Sequence, residues 1–308
     1  MTEMKYLFGP VPSRRLGNSL GISPIPKKTC NYSCIYCQLG RTDHLTNQRK
    51  MFFPVQEIIE EFDQFLMKSE AFDVVTIVGE GEPTLYLGLG ELIQEIKKRT
   101  EKPVAVITNG ALLYDPQVRA ELEEADIVLP TVDAYDQALF KKINRPHGTI
   151  EFQQVQSGLK TFSETFDGQL WIEIMLIDGI NDDDESLEKY KGLLQEIHHD
   201  RLYLNTPVRP PAESYAKAVS PERMERAVEL LGGISIEMLV SEGFHSEIPD
   251  HKEAILSIIK RHPMNQFEIE GFLKSRGCGD PVAILDELRK DSRVVSIVYK
   301  GFETFRLR

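Results

Sequence analysis

Val74-Val-Thr-Ile-Val-Gly-Glu-Gly-Glu-Pro-Thr84 passes without interruption from a β-branched apolar run into a turn rich in glycine and proline. An apolar run this short, with no polar alternation, reads as a strand covered on both faces, the habit of parallel sheets. The glycines that follow allow the backbone to approach a neighbour closely. Upstream, Pro54 to Ser69 starts on a proline and sets Val55, Ile58, Ile59, Phe62 and Leu66 on one helical stripe, which predicts a helix packed on the sheet. Downstream, apolar runs recur at Val74 to Val78, Val104 to Ile107, Ile127 to Leu129, Ile172 to Ile177 and Leu202 to Leu204. Helical patterns separate most of them, so the fold class is α/β with a parallel sheet. With an earlier strand near Leu16 to Ile22 there are about six parallel strands, two short of a closed barrel. The expectation is a partial (β/α)6 TIM-type barrel whose working edge is the C-terminal ends of its strands.

After Gly243 the pattern changes: His-Ser-Glu-Ile-Pro-Asp leads into three short helices and a hairpin, Val294 to Tyr299 and Phe302 to Leu307, with Lys300-Gly301 as the turn. The expected division is a barrel over 1–243 and a small winged-helix-like α+β domain over 244–308. A 308-residue chain has room for both. Its 41% hydrophobic and 27% charged residues exclude wholesale disorder or a fibrous repeat. A net charge of -12 excludes a surface that binds nucleic acid everywhere, although residues 251–308 carry +3. The first thirty residues hold no signal-peptide core and no apolar run reaches about 18 residues. A cytoplasmic protein without a membrane segment is expected.

Three of the four cysteines, Cys30, Cys34 and Cys37, crowd into eight positions, while Cys278 stands alone. Such crowding makes a poor disulfide framework and a good metal-ligand set in a reducing compartment. Three thiolates on a four-iron cluster leave one iron open to a small molecule. The alternative is a non-catalytic zinc-stabilised binding module, with His44 completing a Cys3His set.

The spacing C-x-x-x-C-x-aromatic-C, with Tyr36 as the aromatic, resembles the signature of radical S-adenosylmethionine (SAM) enzymes. That resemblance implies a [4Fe-4S] cluster on Cys30, Cys34 and Cys37, and reductive cleavage of SAM to a 5'-deoxyadenosyl radical that takes hydrogen from a substrate. It also implies SAM contacts from Tyr36, from Gly79, Gly81 and Glu82 after the strand, from Thr108 and Asn109 after the next, and from Asp133. A plain strand-to-helix turn at Gly79 to Thr84, a loop opening at Asn109-Gly110 and a helix N-cap at Asp133 are the structural alternatives. Glu173 and Glu185 are weaker candidates.

The stretches FGPVPSRRLGNSLGI, CNYSCIYC, GEGEPTL, ITNG and INRPHG are similar to a branch grouped with wyosine-type tRNA-modifying enzymes, over roughly residues 5 to 210. This chain lacks the further upstream cysteines with which those tRNA enzymes hold a second cluster. The substrate is open between a tRNA and a protein or peptide, and the resemblance implies flavodoxin or ferredoxin as electron donor. Asn144, Arg145, Asn205 and Arg209 are the substrate candidates, because they fall at the predicted rim and arginine grips carboxylates and phosphates bidentately; a surface ion pair is the alternative for each arginine. Ser13 to Gly17 closes the barrel bottom or meets the cysteine loop. The helix Asp280 to Lys290 carries Asp280, Asp286 and Glu287 against Arg289 and Lys290, which disfavours duplex DNA. Cys278 reads as a small residue beside that helix start.

Overall fold

The computed structural model describes residues 4–68, 71–236, 244, 246, 248–260, 262–299 and 302–308. The first unit opens with an antiparallel hairpin, β1 (Leu7–Ser13) and β2 (Gly17–Ile22), followed by the two-residue strands β3 (Thr29–Cys30) and β4 (His44–Leu45). Then come α1 (Val55–Leu66), β5 (Val74–Ile77), α2 (Leu89–Lys97), β6 (Val104–Thr108), α3 (Pro116–Leu122) and β7 (Ile127–Pro130). Helices α4 (Gln137–Ile143) and α5 (Phe152–Thr165) precede β8 (Gln169–Met175), α6 (Asp184–Leu194), β9 (Arg201–Asn205), α7 (Pro221–Leu231) and β10 (Ile234–Ser235).

The large sheet has the order β1-β2-β5-β6-β7-β8-β9-β10. All neighbours from β2 to β10 run parallel and only β1 is antiparallel. The six expected strands are all present, and the short β10 and the antiparallel β1 extend the sheet at its two edges. β1 and β10 do not pair, so the barrel is open on that side.

Local sequence explains the elements. Val55, Ile58, Ile59, Phe62 and Phe65 form the buried stripe of α1; Phe65 takes the inward position expected of Leu66, which is only half-buried. Side chains of Asp115, Asp136, Asp183 and Ser220 cap α3, α4, α6 and α7 by accepting backbone N–H groups. The cap of α4 is therefore Asp136, and Asp133 is left for another task. Inside the sheet, Leu16, Val74, Ala105, Ile127, Leu129, Trp171, Tyr203 and Ile236 pack into an apolar plug. Val74, Ala105, Ile127 and Trp171 lie in the N-terminal halves of their strands and Leu16 directly precedes β2, so Leu16 helps close the barrel bottom.

In the second unit α8 (His251–Ile259), β11 (Met264–Asn265), α9 (Gln266–Ser275), α10 (Pro281–Lys290), β12 (Val294–Tyr299) and β13 (Phe302–Leu307) follow in order. The strands form a separate sheet, β11-β13-β12, over a core that includes Ile255, Ile259, Phe272, Leu285 and Phe305. The hairpin strands have the expected bounds. The expected turn, Lys300-Gly301, and the expected boundary at Gly243 lie outside the described residues.

Candidate active site

β3 ends at Cys30, pairs with β4, and releases a loop that carries Cys34 and Cys37. This loop is laced to the end of α4: Ser33 N–H donates to the Asn144 carbonyl and Ile35 N–H to the Ile143 carbonyl, both at 2.9 Å. Thr42 Oγ1 bonds the Tyr32 carbonyl at 2.7 Å. The three thiols are free and half-buried. Tyr32 N–H approaches Cys30 Sγ at 3.4 Å, Asn109 Nδ2 approaches the same sulfur at 3.7 Å, and Asn144 Nδ2 approaches Cys34 Sγ at 3.6 Å. Burial pushes all three thiols above the ordinary cysteine value, opposed at Cys37 by the charges of Arg306 and Lys28. A polycationic metal group is the kind of ligand that reverses this penalty.

All three cysteines line one cavity of about 450 Å³. Tyr36, Gly79, Gly81, Glu173 and Asn205 also line it, and Arg209, bonded to His262 and Glu268, forms its lateral side together with Arg14, whose charge acts on His262. Its position is that of the open side of the sheet, covered by the second unit. The donor set fits a cluster with an open coordination position: three thiols share one cavity, and the fourth cysteine, Cys278, packs against the separate core of the second unit. Among the described residues no three His, Cys, Asp or Glu side chains are gathered around one point as a mononuclear ion requires.

Two buried carboxylates fix the rim behind the cavity. Glu82 Oε1 accepts from Thr84 N–H at 3.0 Å, Thr84 Oγ1 at 2.6 Å and Thr108 Oγ1 at 2.6 Å, and Oε2 accepts from Asn109 N–H at 2.8 Å. Burial raises its carboxyl, and those donors pull it back. Glu82 thus ties the ends of β5 and β6 together and caps the turn at Pro83–Leu85. Gly81 is required by space: a Cβ there would sit 1.8 Å from the Thr29 carbonyl oxygen. Asp133 accepts from Tyr36 Oη, from Asn144 Nδ2 at 2.7 Å and from Met175 N–H at 3.1 Å. Burial lifts Asp133 to about 6, against the pull of those donors.

The expected residues therefore divide. Cys30, Cys34, Tyr36, Cys37, Gly79, Gly81, Asn205 and Arg209 line the cavity. Glu82, Thr108 and Asn109 support it from behind, while Asp133 and Asn144 line a small pocket of about 30 Å³ against α5. Arg145, with a left-handed φ of 46°, donates to Glu213 at 2.5 Å and to Tyr215 Oη at 2.7 Å and does not reach the cavity. Arg209 donates to both oxygens of Glu268 at 3.1 Å, to His262 Nε2 at 2.8 Å and to the Pro263 carbonyl. Both arginines are occupied by ion pairs within the chain. Glu185 sits on α6, paired with Lys189.

Sequence reasoning missed several partners. Arg15 forms a buried ion pair with Glu173, whose Oε1 also accepts from Asn205 Nδ2 at 3.1 Å. Asn31 Oδ1 receives Asn109 Nδ2 at 2.7 Å, and Tyr190 Oη donates to the Asp133 carbonyl at 2.5 Å. Arg306 of β13 donates to the Gln38 carbonyl at 3.0 Å, and Lys27 Nζ to the Arg308 carbonyl at 2.8 Å, so the second unit touches the cysteine loop. Positional signals existed for Asn31, adjacent to Cys30, and for Arg15 and Glu173, which lie in stretches already singled out, but their pairing was not legible.

A cysteine loop after a barrel strand, glycines at the next strand end and a parallel open barrel define the class, and comparison with known proteins agrees. The model of the radical SAM superfamily matches residues 25–190. The chain belongs to that superfamily and is an enzyme; members use a [4Fe-4S] cluster and SAM. It is 34% identical over 306 residues to a UPF0026 protein of Methanocaldococcus jannaschii, covering 97% of this chain and 94% of that one. It is also 44% identical over 225 residues to a Brachyspira hyodysenteriae protein named GTPase Obg, covering 73% of this chain but only 33% of that protein. Among solved structures, TYW1 with a lysine-pyruvate adduct bound superposes with a TM-score of 0.53 at 18% identity, covering 69% of this chain and 72% of that one. Streptococcus suis SuiB bound to precursor peptide SuiA gives 0.53 at 16% identity, covering 68% and 44%. These likenesses establish the partial barrel.

Proposed function

We propose that this chain, a barrel over 1–243 with a second domain over 244–308, holds a [4Fe-4S] cluster on Cys30, Cys34 and Cys37 and uses it on SAM to oxidise or rearrange a protein or peptide substrate. The observation that carries the reading is the opening of three free thiols into one cavity beside the Gly79 to Gly81 turn. When bound, cluster and SAM supply reductive sulfonium cleavage and a 5'-deoxyadenosyl radical.

The chain's own residues orient and protect. Asn109 and Asn144 offer N–H groups to the sulfurs of Cys30 and Cys34, which stabilises thiolate charge. Gly79 and Gly81 let the cavity wall pack closely on Ser23, Ile25 and Thr29, and Glu82, Thr108 and Asn109 hold in place that wall, which would receive SAM. Asp133 fixes Tyr36 and the strand end at Met175, which would keep these two cavity-lining residues ordered around a bound SAM. The apolar plug under the cavity excludes water from below.

The protein or peptide reading is favoured over tRNA by the use of cations in the second unit. Arg289 pairs with Glu303 and Asp286, Arg293 with Asp291 and Glu253, and Lys252 with Asp291. Paired cations contribute little to phosphate binding by counterion release. The electron donor in this reading is a flavodoxin or ferredoxin of the cytoplasm. Among the described residues no helix is long and apolar enough to cross a membrane.

The test is anaerobic reconstitution with iron and sulfide, dithionite reduction with SAM, and quantification of 5'-deoxyadenosine. Product should form and fall to background in Cys30→Ala, Cys34→Ala and Cys37→Ala. A colourless protein with stoichiometric zinc and no product would move the case to the zinc-stabilised binding module.

A further inference from the structure

Four basic side chains of arginine and lysine line the cavity: Arg14, Arg15, Lys28 and Arg209. Three have carboxylate partners. Arg15 pairs with Glu173, Lys28 with Asp43 at 3.6 Å, and Arg209 with Glu268 at 3.1 Å. Arg14, exposed in the turn between β1 and β2, has no carboxylate or hydrogen-bond partner among the described residues. Of the carboxylates that line the cavity, Glu173 and Glu268 are already committed to other arginines.

We propose that Arg14 anchors an oxyanion, a carboxylate or a phosphate, carried by the substrate; this rests on the radical-enzyme reading of the same cavity. The position suits the task. Ser13 pairs with Gly17 at the N-terminal end of β2, whereas the cysteine loop follows the C-terminal ends of the parallel strands. The turn that carries Arg14 and the cysteine loop therefore lie at opposite ends of β2, and both line the one cavity. Between them Phe8, Val11, Leu16, Ile236 and Phe244 offer an apolar wall, which fits an uncharged substrate body and makes a second charge there costly. The lateral end is locally positive in a chain of net charge -12. Burial first, then Arg209 and Arg14, favour the neutral imidazole of His262, so the histidine adds no charge beside Arg14. A guanidinium fork matches either oxyanion bidentately, which a lysine at this place would not do.

The experiment is phenylglyoxal labelling of the full chain, read residue by residue by mass spectrometry, in succinate, in inorganic phosphate and in chloride of matched ionic strength. Arg145 and Arg209, held in ion pairs, are the internal references. With a probe anion at about twice its Kd, Arg14 adduct formation should slow about threefold, with the references unchanged. Protection by succinate assigns a carboxylate, and protection by phosphate assigns a phosphate. Equal labelling of Arg14 in all three salts would overturn the proposal. Titration calorimetry with the protecting anion gives a second measure: Arg14→Gln should weaken binding about tenfold and Arg14→Lys less, and an unchanged affinity in Arg14→Gln would also overturn it. Neither measurement requires a cluster. Protection without 5'-deoxyadenosine would keep the anion site and refute the radical role, and 5'-deoxyadenosine without protection would do the reverse.

Discussion

At the barrel rim Glu82 is 2% exposed and accepts four hydrogen bonds from two strand ends, and Asp133, also 2% exposed, joins three elements. In the second unit, Arg289 and Arg293 pair with Glu303, Asp286, Asp291 and Glu253 at or near the surface. A buried polar network loses its donors' partners when one member goes, whereas an exposed ion pair exchanges its partner for water. The rim is therefore rigid and specific. The second unit depends on its apolar core instead, and its charges govern how it meets the barrel.

The contrast is broken most directly at Glu82. Glu82→Ala should cost roughly 3 kcal/mol, because it leaves buried donors from Thr84, Thr108 and Asn109 unmatched; urea unfolding measures it. A loss under about 1 kcal/mol would show that the rim tolerates water. Next in size is the junction. Arg209→Ala removes the contacts to Glu268, His262 and Pro263 and should cost about 1–3 kcal/mol, seen as faster hydrogen exchange over 262–268 with the barrel unaffected. Equal exchange in both proteins would mean that apolar packing alone holds the junction.

His262 sharpens the same comparison through pH. Burial first, then Arg209 and Arg14, hold it well below the ordinary histidine value of 6.5. The unfolded chain therefore binds a proton that the native state refuses as pH falls below 6.5. The stability contributed by neutral His262 is present above 6.5 and declines as acidification proceeds toward its native value. Thermal unfolding of the second unit should lose stability below pH 6.5, and His262→Gln should flatten that slope; an unchanged slope would remove His262 from the account. The smallest effect is expected at Arg289→Ala, at most about 1 kcal/mol despite its two carboxylate partners, because Arg289 is exposed and such pairs are largely solvated. A loss comparable to Glu82→Ala would erase the distinction between the regions.

Much of this was legible along the chain. Apolar runs of three to six residues separated by helical stripes identify the parallel strands because burial on both faces leaves no polar alternation. The antiparallel β1 was not legible, since Leu7–Ser13 includes Gly9, Pro10 and Pro12 and reads as a loop; pairing with β2 is what makes it a strand. Helix caps were legible only to within a few residues. Asp133 and Asp136 are equivalent by type, and the chain path delivers Asp136 to α4 and Asp133 to Tyr36 and Asn144. Arg145 and Arg209 carried the right chemistry for an anion, but their carboxylate partners stand 68 and 59 positions away, beyond any local pattern.

The sequence by itself determined the class of chemistry, because the cysteine spacing with its aromatic and the glycine turn after β5 are local patterns that carry the family resemblance, and because strand periodicity is a local property. Only the tertiary structure decided which charged side chains are spent on each other. Charge pairing depends on through-space distance between elements far apart in the chain, so Arg15, Arg145 and Arg209 found carboxylates, and Arg14 has none among the described residues.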